Sequence, residues 1–166
     1  MMPTSAEQRK HIRTILRVYL EKAEANQPDI HYSQHRPLLS LGKPPSSSSM
    51  VTDCSGLVIS ASYWADIWLP LSYKDPGGYH YSGWGNTGSI LATNHKRRVP
   101  LDHKFFVGDM ALYGSWNKTK HVTICRKNGD TQSSVWTSHG SERGPYACRL
   151  LYRNDLVAVF RAEQLA

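Results

Sequence analysis

Nowhere in these 166 residues does an apolar run approach the ~20 residues that a membrane-spanning helix needs. Residues 1–10 also lack the apolar core of a secretory signal. Cysteine is scarce: three residues, an odd number, make no disulfide framework and leave at least one thiol unpaired. Acidic residues are outnumbered, 13 Asp and Glu against 20 Lys and Arg, which gives a formal net charge of +7. A basic surface calls for an anionic partner such as nucleic acid, a membrane surface or the polyanions of a cell wall. The basic residues are scattered, however. Their one tight cluster, His95-Lys96-Arg97-Arg98, belongs to no nucleic-acid module and reads equally well as a solvated loop. Neither nucleic acid nor membrane insertion is expected, and anionic wall polymers stay as candidate partners. No internal repeat or linker divides the chain, so 1–166 reads as one monomeric domain.

What is present has a clear order. Ile12, Ile15, Leu16, Tyr19, Leu20 and Ala23 fall on one stripe of a helix over 5–26, with Ser5 and Gln8 spaced as a capping box. Asn26 and Pro28 supply the stop. A polar connection and a Pro/Ser run lead to Asp53-Cys54-Ser55-Gly56-Leu57-Val58, where a second helix begins. Its apolar residues Val58, Ala61, Ala65 and Trp68 share a face, and it should end near Trp68, before Pro70. A glycine- and aromatic-rich loop follows, with a short helix expected over 89–94. From about residue 105 the pattern changes to strands over 110–113, 121–125, 134–137 and 156–160. Asn128-Gly129-Asp130 reads as a hairpin turn. Helices first and strands later indicate an α+β domain with an antiparallel sheet. The divisions are 1–28 for the N-terminal helix, 29–70 for connection and second helix, 71–104 for the loop region and 105–166 for the sheet.

Chemistry concentrates at Cys54. At a helix N-terminus, unpaired N–H groups and the macrodipole favour the thiolate, so the thiol pKa is expected to be lowered. Asp53 reads as the N-cap, and Ser55 as a second residue shaping the helix start beside the oxyanion position. A nucleophilic cysteine needs a base and an orienter. His121 opens one strand and His139 closes the next, so the hairpin is expected to bring both imidazoles to one sheet face facing Cys54. Two alternatives stand beside this triad: cross-strand packing of the histidines, and a metal site from His121, Cys125, His139 and Cys148, which lacks compact zinc spacing. No metal and no cofactor is expected. Asp109, after Gly108, reads as a turn residue. Cys125 reads as buried packing, and a bridge to Cys148 has no support. Trp84, with Tyr79 and Tyr81 among glycines, suits either a substrate groove or a loop pinned to the core.

The Asp-Cys-Ser-Gly-Leu-Val motif, Gly108-Asp109-Met110-Ala111-Leu112-Tyr113 and His121-Val122-Thr123-Ile124, in that order, resemble the NlpC-type cell-wall peptidases. These are papain-like cysteine hydrolases that cut peptide bonds in bacterial peptidoglycan. The chain is more similar still to the N-terminal peptidase domains of endolysins from phages of mycobacteria and related actinobacteria. That likeness rests on Ile30-His31-Tyr32-Ser33-Gln34, Gly83-Trp84-Gly85-Asn86-Thr87-Gly88 and Ser138-His139-Gly140-Ser141-Glu142-Arg143-Gly144-Pro145, and covers most of 30–160. The Cys54–His121 spacing is longer than in compact members, with the extra residues in the Gly/Trp loop.

The resemblance implies a papain-like NlpC-type fold, with Cys54 as nucleophile, His121 as base and His139 as orienter. It also implies Tyr32 beside the oxyanion site, at a longer distance from the cysteine than usual. Its mechanism is attack of a thiolate, paired with protonated His121, on a peptide carbonyl. The expected substrate is a peptidoglycan peptide, reached from a host cytoplasm after release to the wall. Competing readings are an N-acetylmuramoyl-L-alanine amidase of related fold, a tail-associated phage hydrolase, a thiol acyltransferase acting on lipids, and an inactive wall-binding module.

Overall fold

The computed structural model describes residues 4–34, 45, 51–67 and 85–166, and in them an α+β architecture. Helix α1 (Ala6–Ala25) starts where its capping box requires. The Ser5 hydroxyl accepts the Gln8 N–H at 3.1 Å, and the Gln8 side chain accepts the Ser5 N–H at 2.7 Å. Leu16, Tyr19, Leu20 and Ala23 are buried, with Ile12 and Ile15 packed at the margin. Helix α2 (Cys54–Trp64) is capped by Asp53, whose carboxylate accepts the Gly56 N–H at 2.7 Å. It stops earlier than the expected 68, because Asp66 takes a left-handed φ of 57°. Residues 54–62 are all buried, so α2 runs through the core rather than presenting one apolar stripe. Helix α3 (Thr87–Ala92) begins two residues before the expected start, where Asn86 accepts the Ser89 N–H at 3.0 Å.

Two short strands, β1 (His31–Tyr32) and β2 (Val51–Thr52), pair in parallel just before α2 and set Tyr32 beside Thr52. The main sheet holds β3 (Lys96–Val99), β4 (Met110–Gly114), β5 (Thr119–Lys127), β6 (Val135–Ser138), β7 (Tyr146–Cys148) and β8 (Leu156–Ala162). Its order is β3-β8-β4-β5-β6-β7, and every pairing is antiparallel. Strand β3 is a correction to the loop reading of the His95–Arg98 cluster. Its charged residues suit an edge position, where they discourage pairing with another chain. Strand β7 is too short to leave a periodic signal. Asn128-Gly129-Asp130 is not a tight hairpin either, since β5 ends at Lys127 and β6 starts at Val135. Gly129 instead exchanges backbone hydrogen bonds with Phe105, and Asp130 accepts the N–H groups of Gln132 and Ser133.

The sheet divides two clusters. Met110, Leu112, Val122 and Ile124 pack with α1 and α2 on one face. Ala111, Tyr113, Cys125 and Trp136 pack with Phe105 and Leu150 on the other. Cys125 pairs with Trp136, which pairs with Cys148, so the two cysteines lie two strands apart, roughly 10 Å. That exceeds disulfide reach, and both are free thiols. At the entry to β4, Gly108 has a φ of 96°, and a Cβ there would come within 2.6 Å of Leu165 Cδ1. Asp109 is more than a turn residue. It is fully buried, makes a two-pronged ion pair with Arg161 (2.7 and 2.8 Å) and accepts the Phe106 N–H at 2.9 Å. It ties the start of β4 to β8.

Candidate functional site

Cys54, at the first position of α2, lines a cleft of about 810 Å³ together with Tyr32, Asp53, Thr87, His121 and His139. The Val122 N–H, the Thr87 hydroxyl and the Ser55 N–H lie where they favour a charged sulfur. These donors favour thiolate, as the helix start does, but burial opposes them and the Asp53 carboxylate adds repulsion. The net effect pushes the thiol up to about 11, the reverse of the expected lowering. A helix start contributes at most ~2 kcal/mol in partly buried geometry, less than removing a thiolate from water costs here.

His121 stands on β5 opposite Tyr113, with ring centroids 5.9 Å from Tyr113 and 6.3 Å from Tyr152. Its Nε2 lies 2.8 Å from Ser138 Oγ, and that oxygen lies 3.2 Å from the Tyr152 hydroxyl. Burial is the main cause that lowers His121 to about 4, with the Arg153 charge adding to it. Glu142 and Asp155 pull the other way. The resting pair is therefore a neutral thiol and a neutral imidazole, in place of the expected ion pair.

His139 does not stand behind His121. The register sets Ile124 opposite Thr137, so His121, three residues from Ile124, belongs to the sheet face of Tyr113. His139, two residues beyond Thr137, falls on the helix side. There it meets Tyr32 edge-to-face at 5.6 Å, and its Nδ1 lies 3.4 Å from the Arg143 carbonyl. Its Nε2 is buried without a hydrogen-bond partner. Burial lowers its pKa, against the raising effect of the Arg143 and His31 carbonyls and of Asp53. Among the described residues, no hydrogen bond joins Cys54 to either imidazole.

No family model matches this chain. No curated protein and no solved structure matches it either.

The residues that the sequence singled out thus divide into groups. Cys54, His121, His139 and Tyr32 share the cleft, and the Tyr32 hydroxyl accepts a hydrogen bond from the Gln34 side chain at 3.2 Å. Asp53 is the N-cap as read, and Ser55 donates its hydroxyl to the Asp53 carboxylate at 3.2 Å. Trp84 lies outside the described residues. Ser138, Tyr152 and Thr87 were missed, because hydroxyl residues are common and only the folded pairing brings these three to the cysteine and histidine. Lys118, Lys120, Arg153 and Glu142 also line the cleft, giving it charges of both signs. Among the described residues, no group of three or more His, Cys, Asp or Glu is placed to hold a metal ion.

Proposed function

We propose that this chain is an NlpC-type, papain-like cysteine peptidase that hydrolyses peptide bonds of bacterial peptidoglycan, as a phage endolysin or the catalytic part of one. The observation that carries this reading is Cys54 at the first position of α2, lining one cleft with His121 and His139. In this reading the Cys54 thiol and the His121 imidazole, which line one cleft of a size to take a peptide, act as nucleophile and base.

The mechanism uses the tautomer in which Nε2–H donates to Ser138, which leaves the His121 Nδ1 as the basic nitrogen. Starting from the neutral pair, His121 takes the thiol proton as Cys54 Sγ attacks the peptide carbonyl. The oxyanion that forms falls to the Cys54 N–H, since Asp53 already takes the Gly56 and Leu57 N–H groups. The imidazolium then protonates the departing amine. Water, deprotonated by His121, cleaves the thioester and regenerates the thiol. Lys118 and Lys120 on one part of the cleft and Glu142 on another suit a polar peptide with charges of both signs.

Digestion of purified actinobacterial peptidoglycan, with product masses read for wild type and Cys54→Ala, tests this. Wild type should release fragments with new amino termini inside the stem peptide, and Cys54→Ala should release none while keeping its folded spectrum. Clearing of walls by Cys54→Ala would sink the proposal. Products cut only between sugar and first amino acid would replace the peptidase with the amidase of related fold.

A further inference from the structure

A second concavity, of about 730 Å³, lies between α1 and the far end of β5. Lys127 there lies six residue steps along the strand from His121 in the cleft, roughly 20 Å. Lys10, Arg13 and Arg17 line the concavity from α1, at spacings of three and four that place them on one face, and Lys127 faces them. Among the described residues, Lys10, Arg17 and Lys127 have no carboxylate partner. The nearby acids are mostly spent: Glu24 pairs with Arg126 at 2.9 Å and Asp109 with Arg161 at 2.7 Å. Neither of these acids lines the groove, and among the described residues Glu21 is the carboxylate that does.

Arg13 is the most telling member. One of its terminal nitrogens donates to the Leu165 carbonyl at 2.7 Å, yet its buried Nε has no hydrogen-bond partner. Burial and the neighbouring Arg161 and Arg9 charges lower its pKa, while Asp109, itself paired with Arg161, acts the other way. We propose that this groove binds the phosphate groups of an anionic polymer of the cell wall, holding the protein on the wall while the cleft works at a nearby peptide. The wall as its setting rests on the function proposed above.

Guanidinium forks match phosphate oxygens in pairs, and Lys adds point charge. Lys10 to Arg17 spans roughly 10 Å of helix, too far for a single phosphate to neutralise and suited to a repeating chain of them. Nucleic acid fits less well. Phe106, the one aromatic ring lining the groove among the described residues, already lies under the Arg13 and Arg161 guanidinia (5.2 and 4.8 Å), so it offers no platform for base stacking.

The test uses the full chain with short inorganic polyphosphate as probe, titrated over a range of salt. Lys10→Gln/Arg17→Gln/Lys127→Gln removes three groove charges. Arg97→Gln/Arg98→Gln/Lys104→Gln removes three exposed charges elsewhere and serves as control. The groove variant should lose at least tenfold in affinity, with a salt dependence shallower by about two counterions, and the control should stay within twofold. In parallel, Cys54→Ala should sediment with purified walls and lose that binding once their phosphodiester polymers are removed by acid. Equal losses in both triple variants, no saturable polyphosphate binding by wild type, or tighter binding of single-stranded DNA would each overturn the proposal. None of these measurements reads hydrolysis, so failure of the groove and failure of the peptidase are separable.

Discussion

The Ser138 hydroxyl, 2.8 Å from His121 Nε2 and 3.2 Å from the Tyr152 hydroxyl, occupies the place behind His121 that the sequence assigned to His139. In the proposed mechanism it fixes which nitrogen carries the proton and how the ring is aimed. Ser138→Ala leaves a buried N–H without a partner, a loss of about 1–3 kcal/mol, and the proposed roles put that loss in the transition state. Its kcat on a soluble stem peptide should fall roughly tenfold to hundredfold with KM nearly unchanged. His139→Ala should change KM more than kcat, because His139 touches Tyr32 at the cleft wall and not His121. If Ser138→Ala kept full kcat while His139→Ala lost it, the orienter would be His139 after all. Sequence alone could not choose between them, since Ser138 and His139 are neighbours and alternate residues of a strand point to opposite faces. Which one faces His121 depends on a single step of register.

Elements place these residues through a few anchors. Asp109 is fully buried between the entry to β4 and Arg161 of β8, and its carboxylate also accepts the Phe106 N–H. Removing one partner of a buried pair strands the other charge, which costs about 3–5 kcal/mol. Asp109→Ala should therefore lower unfolding stability by about that amount in urea denaturation at neutral pH. A change under about 1 kcal/mol would return Asp109 to the simple turn role read from its sequence. The same scale explains which elements were legible. Helix α1 carries its cap, stripe and stop within 22 residues, and the structure reproduces all three. Strands β4, β5, β6 and β8 carry runs of apolar and β-branched residues. Strands β1, β2 and β7 are two or three residues long and exist through their partners, so no local pattern announces them. Strand β3 spells Lys96-Arg97-Arg98-Val99, and only pairing with β8 makes it a strand.

For the whole molecule, burial of the site has a cost that depends on pH. His121 is only 7% exposed and binds its proton more weakly in the folded chain, with a pKa of about 4. Its contribution to stability is complete above its unfolded pKa of about 6.5 and declines as pH falls through 4, by up to about 3 kcal/mol. The charges that act on it are Arg153 and His139, which lower its pKa, and Glu142 and Asp155, which raise it. The difference in unfolding free energy between wild type and His121→Gln should shift by about that amount between pH 7 and pH 4. A difference independent of pH would mean that His121 is not held neutral. Charge also acts at this scale: the sequence shows an excess of seven positive charges but not where they gather. Lys10, Arg13, Arg17 and Lys127 converge because α1 lies across the end of β5, more than a hundred residues away in sequence. By itself the sequence determined the α1 boundaries, the Asp53 cap, the α+β class and a cysteine opening a helix, because caps, breakers and periodicity act between near neighbours. The tertiary structure decided the strand order, the partner of His121, the neutral state of thiol and imidazole, and the basic groove. Each of these depends on desolvation or on contacts between distant segments, which no local pattern encodes.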